Sequence, residues 1–355
     1  MSRSRPALLL AAVTALALPL TACSSSPSGS SGSAAAPSAT ASGVQGQAAT
    51  ADLSAVTLRV GQTGWNEMGA ALQVAHLDNT PYTIKWSVFS GGDKQLQALQ
   101  AGALDVASSS DIPPVFAAAA TAPDWRVIAV QRANTLLQNV VAGKHSGITS
   151  IAQLKGKKVG YVQSTTAQYF LYKLLVQNGL TWSDIHAVAL TPQDGVAALS
   201  SGSIDALASY GNSIITSEQQ GAKVIGSGQT ILSGNFPWEA STKLIGDSAE
   251  SAAVVDLLTR ITKAYAYIRD GHEAQYAQLT ASATNEPESE ALSQIQADEQ
   301  QQPTEVVATD PSQIAAEQDV ANAFTSLGVL PGKVVVSSYW SDALDARLTA
   351  ALAGS

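Results

Sequence analysis

Cysteine is almost absent, with Cys23 the only one in 355 residues. No disulfide can form within the chain, and beyond residue 23 there is no thiolate to act as nucleophile or metal ligand. Histidine is also scarce. His76, His145, His186 and His272 fall on separate stretches, without the H-x-x-x-H or H-E-x-x-H spacing that holds zinc. The patterns G-x-x-x-x-G-K-[ST], G-x-G-x-x-G and G-x-S-x-G are missing as well. These absences leave enzyme chemistry without visible machinery, so no catalytic residue, metal or cofactor is expected. Basic residues are few and scattered. Setting aside Arg3 and Arg5, 17 of the 19 Lys and Arg remain against 28 Asp and Glu, a net charge of −11. Nucleic acid and anionic lipid are poor partners for such a surface.

Long apolar runs are lacking too. The run from Ala7 to Leu20 falls short of the roughly 20 residues that span a bilayer. Arg3 and Arg5 precede it and Leu20-Thr21-Ala22-Cys23 follows, which is the layout of a lipoprotein signal peptide. Residues 1–22 therefore read as a signal peptide, with Cys23 as the lipidated N-terminus at the outer face of the cytoplasmic membrane. Residues 23–51, rich in Ser, Gly, Ala, Pro, Thr and Gln without charge or aromatics, read as a flexible tether.

The remaining residues suffice for two lobes of ordinary size. From Val56, short β-rich runs (VTLRV, YTIKWSVF, LDVASS, RVIAVQ, NVVAG, KKVGYV, HAVAL, IDALAS, AKVIG) alternate with helical stretches, which predicts a mainly parallel α/β sheet. After Gly246 the strands are expected to stop. Asp247 and Glu250 read as an N-cap and its reciprocal partner, opening a long helix toward Asp270. A repeat stands out: Ala98-Leu99-Gln100-Ala101-Gly102-Ala103-Leu104-Asp105 matches Ala198-Leu199-Ser200-Ser201-Gly202-Ser203-Ile204-Asp205, with Ser109 and Ser209 extending it. In each copy a helix ends at a glycine and a strand begins, so two similar lobes are expected. Loops beyond the carboxyl ends of such strands, Ser108 to Asp111 and Ser209 to Asn212, are natural walls of one cleft.

With these features the chain resembles the solute-binding proteins of ABC importers, in the aliphatic-sulfonate, taurine and nitrate receptor group. The residues that carry the resemblance are Leu58-Arg59-Val60-Gly61, Phe89-Ser90-Gly91-Gly92, Asp111-Ile112-Pro113-Pro114, Leu154-Lys155-Gly156-Lys157-Lys158-Val159 and both copies of the repeat. The resemblance implies a two-lobed type II periplasmic-binding-protein fold. Lobe 1 would span 52–135 and lobe 2 136–240, with 241–355 returning to lobe 1 as C-terminal helices. Crossovers are expected near Asn134 to Val141 and Ser233 to Gly246. The family further implies capture of a small anion or zwitterion between the lobes, with an ABC permease and its ATPase as partners. A monomer touching the membrane through its lipid alone completes that expectation. After Ala206, Tyr210-Gly211-Asn212 replaces the acidic-Pro pair of many members.

Candidate ligand contacts follow from strand-end positions. Ser164, Thr165 and Thr166 lie where a strand gives way to a helix, suiting an anion without Lys or Arg. Thr165 or Thr166 equally serves as the helix cap. Gln62, Gly64 and Trp65 hold the equivalent place in the first lobe, where Trp65 either shields a ligand or packs in the core. Gly91 permits close backbone approach or simply a turn. Ser109, Ser110 and Asp111 offer donors and a carboxylate, and Tyr210, Asn212 and Trp238 are candidates from the second lobe and hinge. Three ligand classes stay open: a sulfonate or taurine, a nitrate-like anion, and a thiamine-precursor pyrimidine. An enzyme on this fold is the rival class, but the related desulfinase and pyrimidine synthase need cysteines that this chain lacks. A ligand-presenting lipoprotein sensor is a third.

Overall fold

The computed structural model describes residues 52–354. The signal peptide, Cys23 and the tether inferred above lie outside these residues. A first run of elements comprises β1 (Thr57–Thr63), α1 (Glu67–Val74), β2 (Thr83–Phe89), α2 (Gly92–Gln100), β3 (Val106–Ser108), α3 (Pro113–Ala120) and β4 (Trp125–Arg132). A second comprises β5 (Gln138–Ala142), β6 (Lys158–Tyr161), α4 (Thr166–Gln177), β7 (His186–Ala189), α5 (Pro192–Ser200), β8 (Ala206–Tyr210), α6 (Asn212–Gln219) and β9 (Lys223–Ser227). The chain then runs through β10 (Asn235–Ser241), α7 (Thr242–Gly246), α8 (Ser248–Arg269), α9 (Glu273–Thr284), α10 (Glu288–Gln301), β11 (Glu305–Val307), α11 (Pro311–Ser326) and α12 (Asp345–Ala353).

Two sheets result, ordered β11-β4-β10-β3-β1-β2 and β7-β6-β8-β5-β9. Apart from the edge strand β11 the two orders are the same pattern, β2-β1-β3-β10-β4 against β7-β6-β8-β5-β9. In each lobe three neighbouring strands are parallel, and the strand that enters from the other lobe, β10 or β5, runs antiparallel to both its neighbours. The expected two-lobed α/β fold is present, with one reversed strand inside each otherwise parallel set. Helices cover both faces of each sheet. Leu58, Val60 and Trp238 pack toward α1 and α8, while Trp125, Val127 and Ile112 face α11 through Phe324. In the second lobe α4 covers one face through Phe170 and Leu171, and Ile214 of α6 with Leu199 of α5 covers the other.

The repeat has a physical explanation in both copies. Gly102 and Gly202 take left-handed φ values of 70° and 73°, so the helix can end by donating the following N–H groups to Ala98 and Ala198. Asp105 then accepts from the backbone N–H of Arg59 at 2.9 Å, and Asp205 from that of Lys158 at 2.8 Å. Each aspartate thus ties its incoming strand to the neighbouring parallel strand, β1 or β6. The first strand residue comes after the aspartate, not at it, because the Asp side chain is spent on this junction.

Four expectations need correction. The stretch Asn235-Phe236-Pro237-Trp238-Glu239, which the expected bounds 136–240 assign to the second lobe, is strand β10 between β3 and β4 of the first sheet. Pro237 disguised it, since a residue without an N–H rarely sits in a central strand. Here the register shifts between Trp238 and Glu239, and the Pro237 carbonyl still accepts from Ser109 N at 3.1 Å. The strands do not stop after Gly246, because β11 adds a three-residue edge too short for any periodicity. The crossovers are the shorter segments 133–137 and 228–234, which lie side by side through Ala133 N–H to Gly234 O at 3.0 Å and Thr135 Oγ1 to Gln229 O at 3.3 Å. The helix starts at Asp247 as expected, its carboxylate accepting from Ala249 and Glu250 N–H at 2.9 Å each, but Glu250 is not the reciprocal partner, because the Asp247 N–H donates to Leu244 O at 3.1 Å.

Candidate functional site

A helix that follows a parallel strand begins at the strand's carboxyl end, so the helices of the two lobes all start on the side where the lobes face each other. There a cavity of about 810 Å³ opens between them. Its wall includes the first residues of six helices: Glu67 of α1, Gly92 of α2, Pro113 of α3, Thr166 of α4, Pro192 of α5 and Asn212 of α6. Aligned peptide dipoles make each such terminus favourable for negative charge, although Pro113 and Pro114 at the start of α3 and Pro192 at the start of α5 carry no N–H to donate. No Lys, Arg or His among the described residues lines this cavity.

In the first lobe the wall is held by buried amides. Gln95 of α2 donates to Thr63 Oγ1 and Ser108 O at 2.8 Å each and accepts from Ser108 N at 3.1 Å, locking the ends of β1 and β3 together. Gln62 is fully buried behind that wall, accepting from Met68 N at 3.1 Å and donating to Asn66 Oδ1 at 2.5 Å. It shapes the loop that puts Gly64 and Trp65 on the cavity. Ser109 lines the cavity but spends its hydroxyl on Glu239 Oε1 at 2.7 Å, whereas the Ser110 side chain has no partner. Asp111 lies behind the wall, accepting from Ser233 Oγ of the second crossover at 2.6 Å. Burial pushes its carboxyl up to about 6. Gly91 precedes α2 and is not on the wall; a Cβ there would come within 3.2 Å of Tyr210 Oη.

In the second lobe Thr165 is the N-cap of α4. It accepts from Ala167 N at 3.2 Å and donates to Val162 O at 2.8 Å, so its hydroxyl is used internally. Thr166 donates to Gln138 Oε1 at 2.7 Å. Both line the cavity; Ala167, Gln168 and Tyr169 N–H are already bonded to Thr165, which leaves the Thr166 N–H as the first-turn donor. Ser164 sits just off the wall with a left-handed φ of 58°, held by Gln168 Oε1 accepting its N–H at 2.8 Å. Tyr210 reaches across the cleft and donates to Ser90 O at 3.3 Å. Asn212 lines the cavity with its amide unpartnered. Trp238 is fully buried in the first lobe's core, away from the wall.

The structure thus brings Gly64, Trp65, Ser109, Ser110, Thr165, Thr166, Tyr210 and Asn212 onto one surface. Gln62, Gly91, Asp111, Ser164 and Trp238 lie beside or behind it. Sequence reasoning overlooked a second set: Glu286, Gln294, Asp298 and Glu299 from the α9–α10 region, Tyr265 of α8 and Tyr276 of α9. One signal was available. In α10, Ala291, Ile295 and Asp298 follow the i, i+4, i+7 spacing of a buried stripe, so an acid stands where an apolar residue is expected.

Residues 88–227 match the sequence model of the NMT1/THI5-like family. A curated relative, the aliphatic sulfonates-binding protein of Escherichia coli strain K12, is 37% identical over 125 residues, which is 35% of this chain and 39% of the relative. The match therefore spans about two fifths of that relative's length. Among solved structures, the periplasmic aliphatic sulphonate binding protein SsuA from Escherichia coli is similar with a TM-score of 0.69 and 26% identity, covering 80% of this chain and 92% of that one. The alkanesulfonate-binding protein SsuA from Xanthomonas axonopodis pv. citri, bound to MOPS, gives 0.72 at 24% identity over 80% and 98%. The fold also occurs in the desulfurization enzyme DSZB, at 0.62 and 17% identity over 84% and 99%. Residues 88–227 are thus similar to the NMT1/THI5-like family, and the chain shares the periplasmic-binding-protein fold of the sulfonate-binding proteins over 80% of its length.

Proposed function

We propose that this protein is an extracytoplasmic solute-binding lipoprotein of an ABC importer, which closes its lobes over a small organic sulfonate. It then delivers the ligand to a membrane permease driven by its ATPase. One observation carries this reading: six helix N-termini, three from each lobe, converge on a single cavity without a Lys or Arg. A sulfonate spreads its charge over three oxygens and suits many weak, neutral donors. Each terminus contributes ~0.3–1 kcal/mol when exposed and up to ~2 when partly buried, so several together hold one anion firmly. The sulfonate-binding relative supports the same ligand class. Taurine, a zwitterion, falls within it. A cavity of about 810 Å³ is far too roomy for nitrate to fill. A thiamine-precursor pyrimidine is the second reading, favoured by the NMT1/THI5-like match and by Trp65, Tyr265 and Tyr276 on the wall.

The protein acts as a receptor rather than an enzyme. The hydroxyl best placed to be activated, Ser109 Oγ, donates to a carboxyl, Glu239, that burial keeps well above its ordinary pKa. A protonated carboxyl is a poor base. The receptor works as a monomer, anchored through Cys23 and the tether. Native mass spectrometry of the full-length protein extracted from membranes is expected to show a bound sulfonic acid and a diacylated N-terminus. Cys23→Ser should release or misprocess the chain, with its ligand still bound. A copurifying pyrimidine would replace the first reading with the second, and a Cys23→Ser protein still lipidated and membrane-bound would remove the anchor.

A further inference from the structure

One end of the cavity carries charge of the opposite sign. Glu67, at the start of α1, has no hydrogen bond or ion pair to its carboxylate among the described residues, and Asp298, whose carboxyl is hydrogen-bonded by Gln294, keeps Oδ1 buried without a partner. Burial raises both carboxyls to about 7, and the neighbouring Glu299, Glu67 and Glu286 add to the rise at Asp298. Glu299 itself is matched, accepting from Arg269 Nη1 at 2.7 Å and from Thr304 N at 2.9 Å. Aromatic rings stand beside the two unmatched acids. Trp65 lies 6.0 Å from Tyr276, and Tyr276 lies 6.1 Å from Tyr265, measured between ring centroids. Independently of the acids, the Gln131 side chain is 6% exposed, lines the same cavity and makes no hydrogen bond. It sits opposite Val306, two residues beyond Thr304.

We propose that this chamber, formed by Glu67, Asp298, Gln131, Trp65, Tyr265 and Tyr276, is a subsite for a protonated amine on the ligand. Two carboxylates without a cationic partner meet the charge, the rings accept it over their faces, and the Gln131 amide turns its oxygen toward an N–H. The cavity is then bipolar, with helix N-termini for an anionic head and acids with aromatics for a cationic tail. The ligand class narrows from sulfonates in general to amine-bearing sulfonates. The anionic half of this statement rests on the proposed function, while the chamber does not.

The test uses the full-length protein and calorimetry at about pH 8, where the chamber acids are largely ionised. The probes are n-alkanesulfonates, the ω-aminoalkanesulfonates of matching length, and n-hexylammonium. At the chain length that spans the cavity, the amine should tighten binding by about tenfold or more. Glu67→Gln with Asp298→Asn should erase that gain and abolish n-hexylammonium binding, while the plain alkanesulfonates, relieved of two nearby negative charges, should bind at least as tightly as to wild type. Both substitutions are isosteric, and a thermal melt verifies that the variant is folded. If alkanesulfonates bind but the amine adds nothing at any length, or its gain survives the double variant, the chamber is refuted and the sulfonate reading stands. If no sulfonate binds but n-hexylammonium binds wild type and not the variant, the chamber stands and the sulfonate reading falls.

Discussion

Alanine at Ser110 or at Asn212 is expected to weaken sulfonate binding by about tenfold each, with folding stability unchanged within ~0.5 kcal/mol. The two side chains line the cavity from opposite lobes, and neither has a partner among the described residues. A hydrogen bond to a charged group contributes ~1.5–3 kcal/mol, and every 1.4 kcal/mol is a factor of ten. Distant sites add, so the double variant should lose about a hundredfold. Thr165→Ala should behave differently. Its hydroxyl caps α4 and bonds Val162 O, so the change should cost ~1 kcal/mol of stability and affect binding only through the helix start. Titration calorimetry beside denaturant melts separates these outcomes. Unchanged affinity in stable Ser110 and Asn212 variants would remove the strand-end loops from the site.

A second large effect concerns pH. Beneath the cleft floor, burial raises Asp111 to about 6, Glu317 to about 8 and Glu239 well above its ordinary range, with repulsion from Asp111 adding to the rise at Glu317 and from Glu317 to that at Glu239. Glu317 is fully buried, accepting from Tyr339 Oη at 2.9 Å and Trp340 Nε1 at 2.7 Å. A carboxyl with a raised pKa stays protonated in the folded state while the unfolded chain releases its proton. Its stabilising contribution is therefore complete below the unfolded pKa and is lost as pH rises through the folded one. For Glu317, between 4.5 and about 8, that loss is on the order of 4 kcal/mol. The melting temperature should accordingly fall by about 10 °C between roughly pH 5.5 and 8.5. Scanning calorimetry measures this, and Glu317→Gln should flatten the profile. A flat or rising wild-type profile would mean these carboxyls are ionised in the fold.

What could be read from the sequence follows the range of the interactions involved. The repeat was legible because its parts are local: a left-handed glycine ends a helix, and an aspartate three residues later bonds the neighbouring strand. The cap at Asp247 was legible for the same reason. Strand β10 was not, because Pro237 violates the local rule and only the bulge and the flanking strands make it tolerable. The neutral wall of the cleft could be inferred from strand-end positions, but which hydroxyls stay free could not. Ser109 is occupied by a glutamate 130 residues away, and Ser110 next to it is not. The acidic end was hidden longest, since Glu67, Tyr265, Tyr276 and Asp298 meet only through the packing of α1, α8, α9 and α10. Still, Asp298 and Glu317 each stand on a buried helical stripe, Ala291-Ile295-Asp298 and Gln313-Glu317-Val320-Phe324. A carboxylate on an apolar stripe marks a buried acid before its neighbours are known.

The most direct test of the cleft as a sulfonate receptor is calorimetric titration of ligand-free wild-type protein with an aliphatic sulfonate, against the isosteric carboxylate, nitrate and an aminopyrimidine. The account predicts saturable one-to-one binding of the sulfonate, with nitrate and the carboxylate at least about tenfold weaker because each presents a smaller or flatter acceptor to the converging helix termini. Saturable binding of the pyrimidine alone, with no heat from the sulfonate, would contradict it.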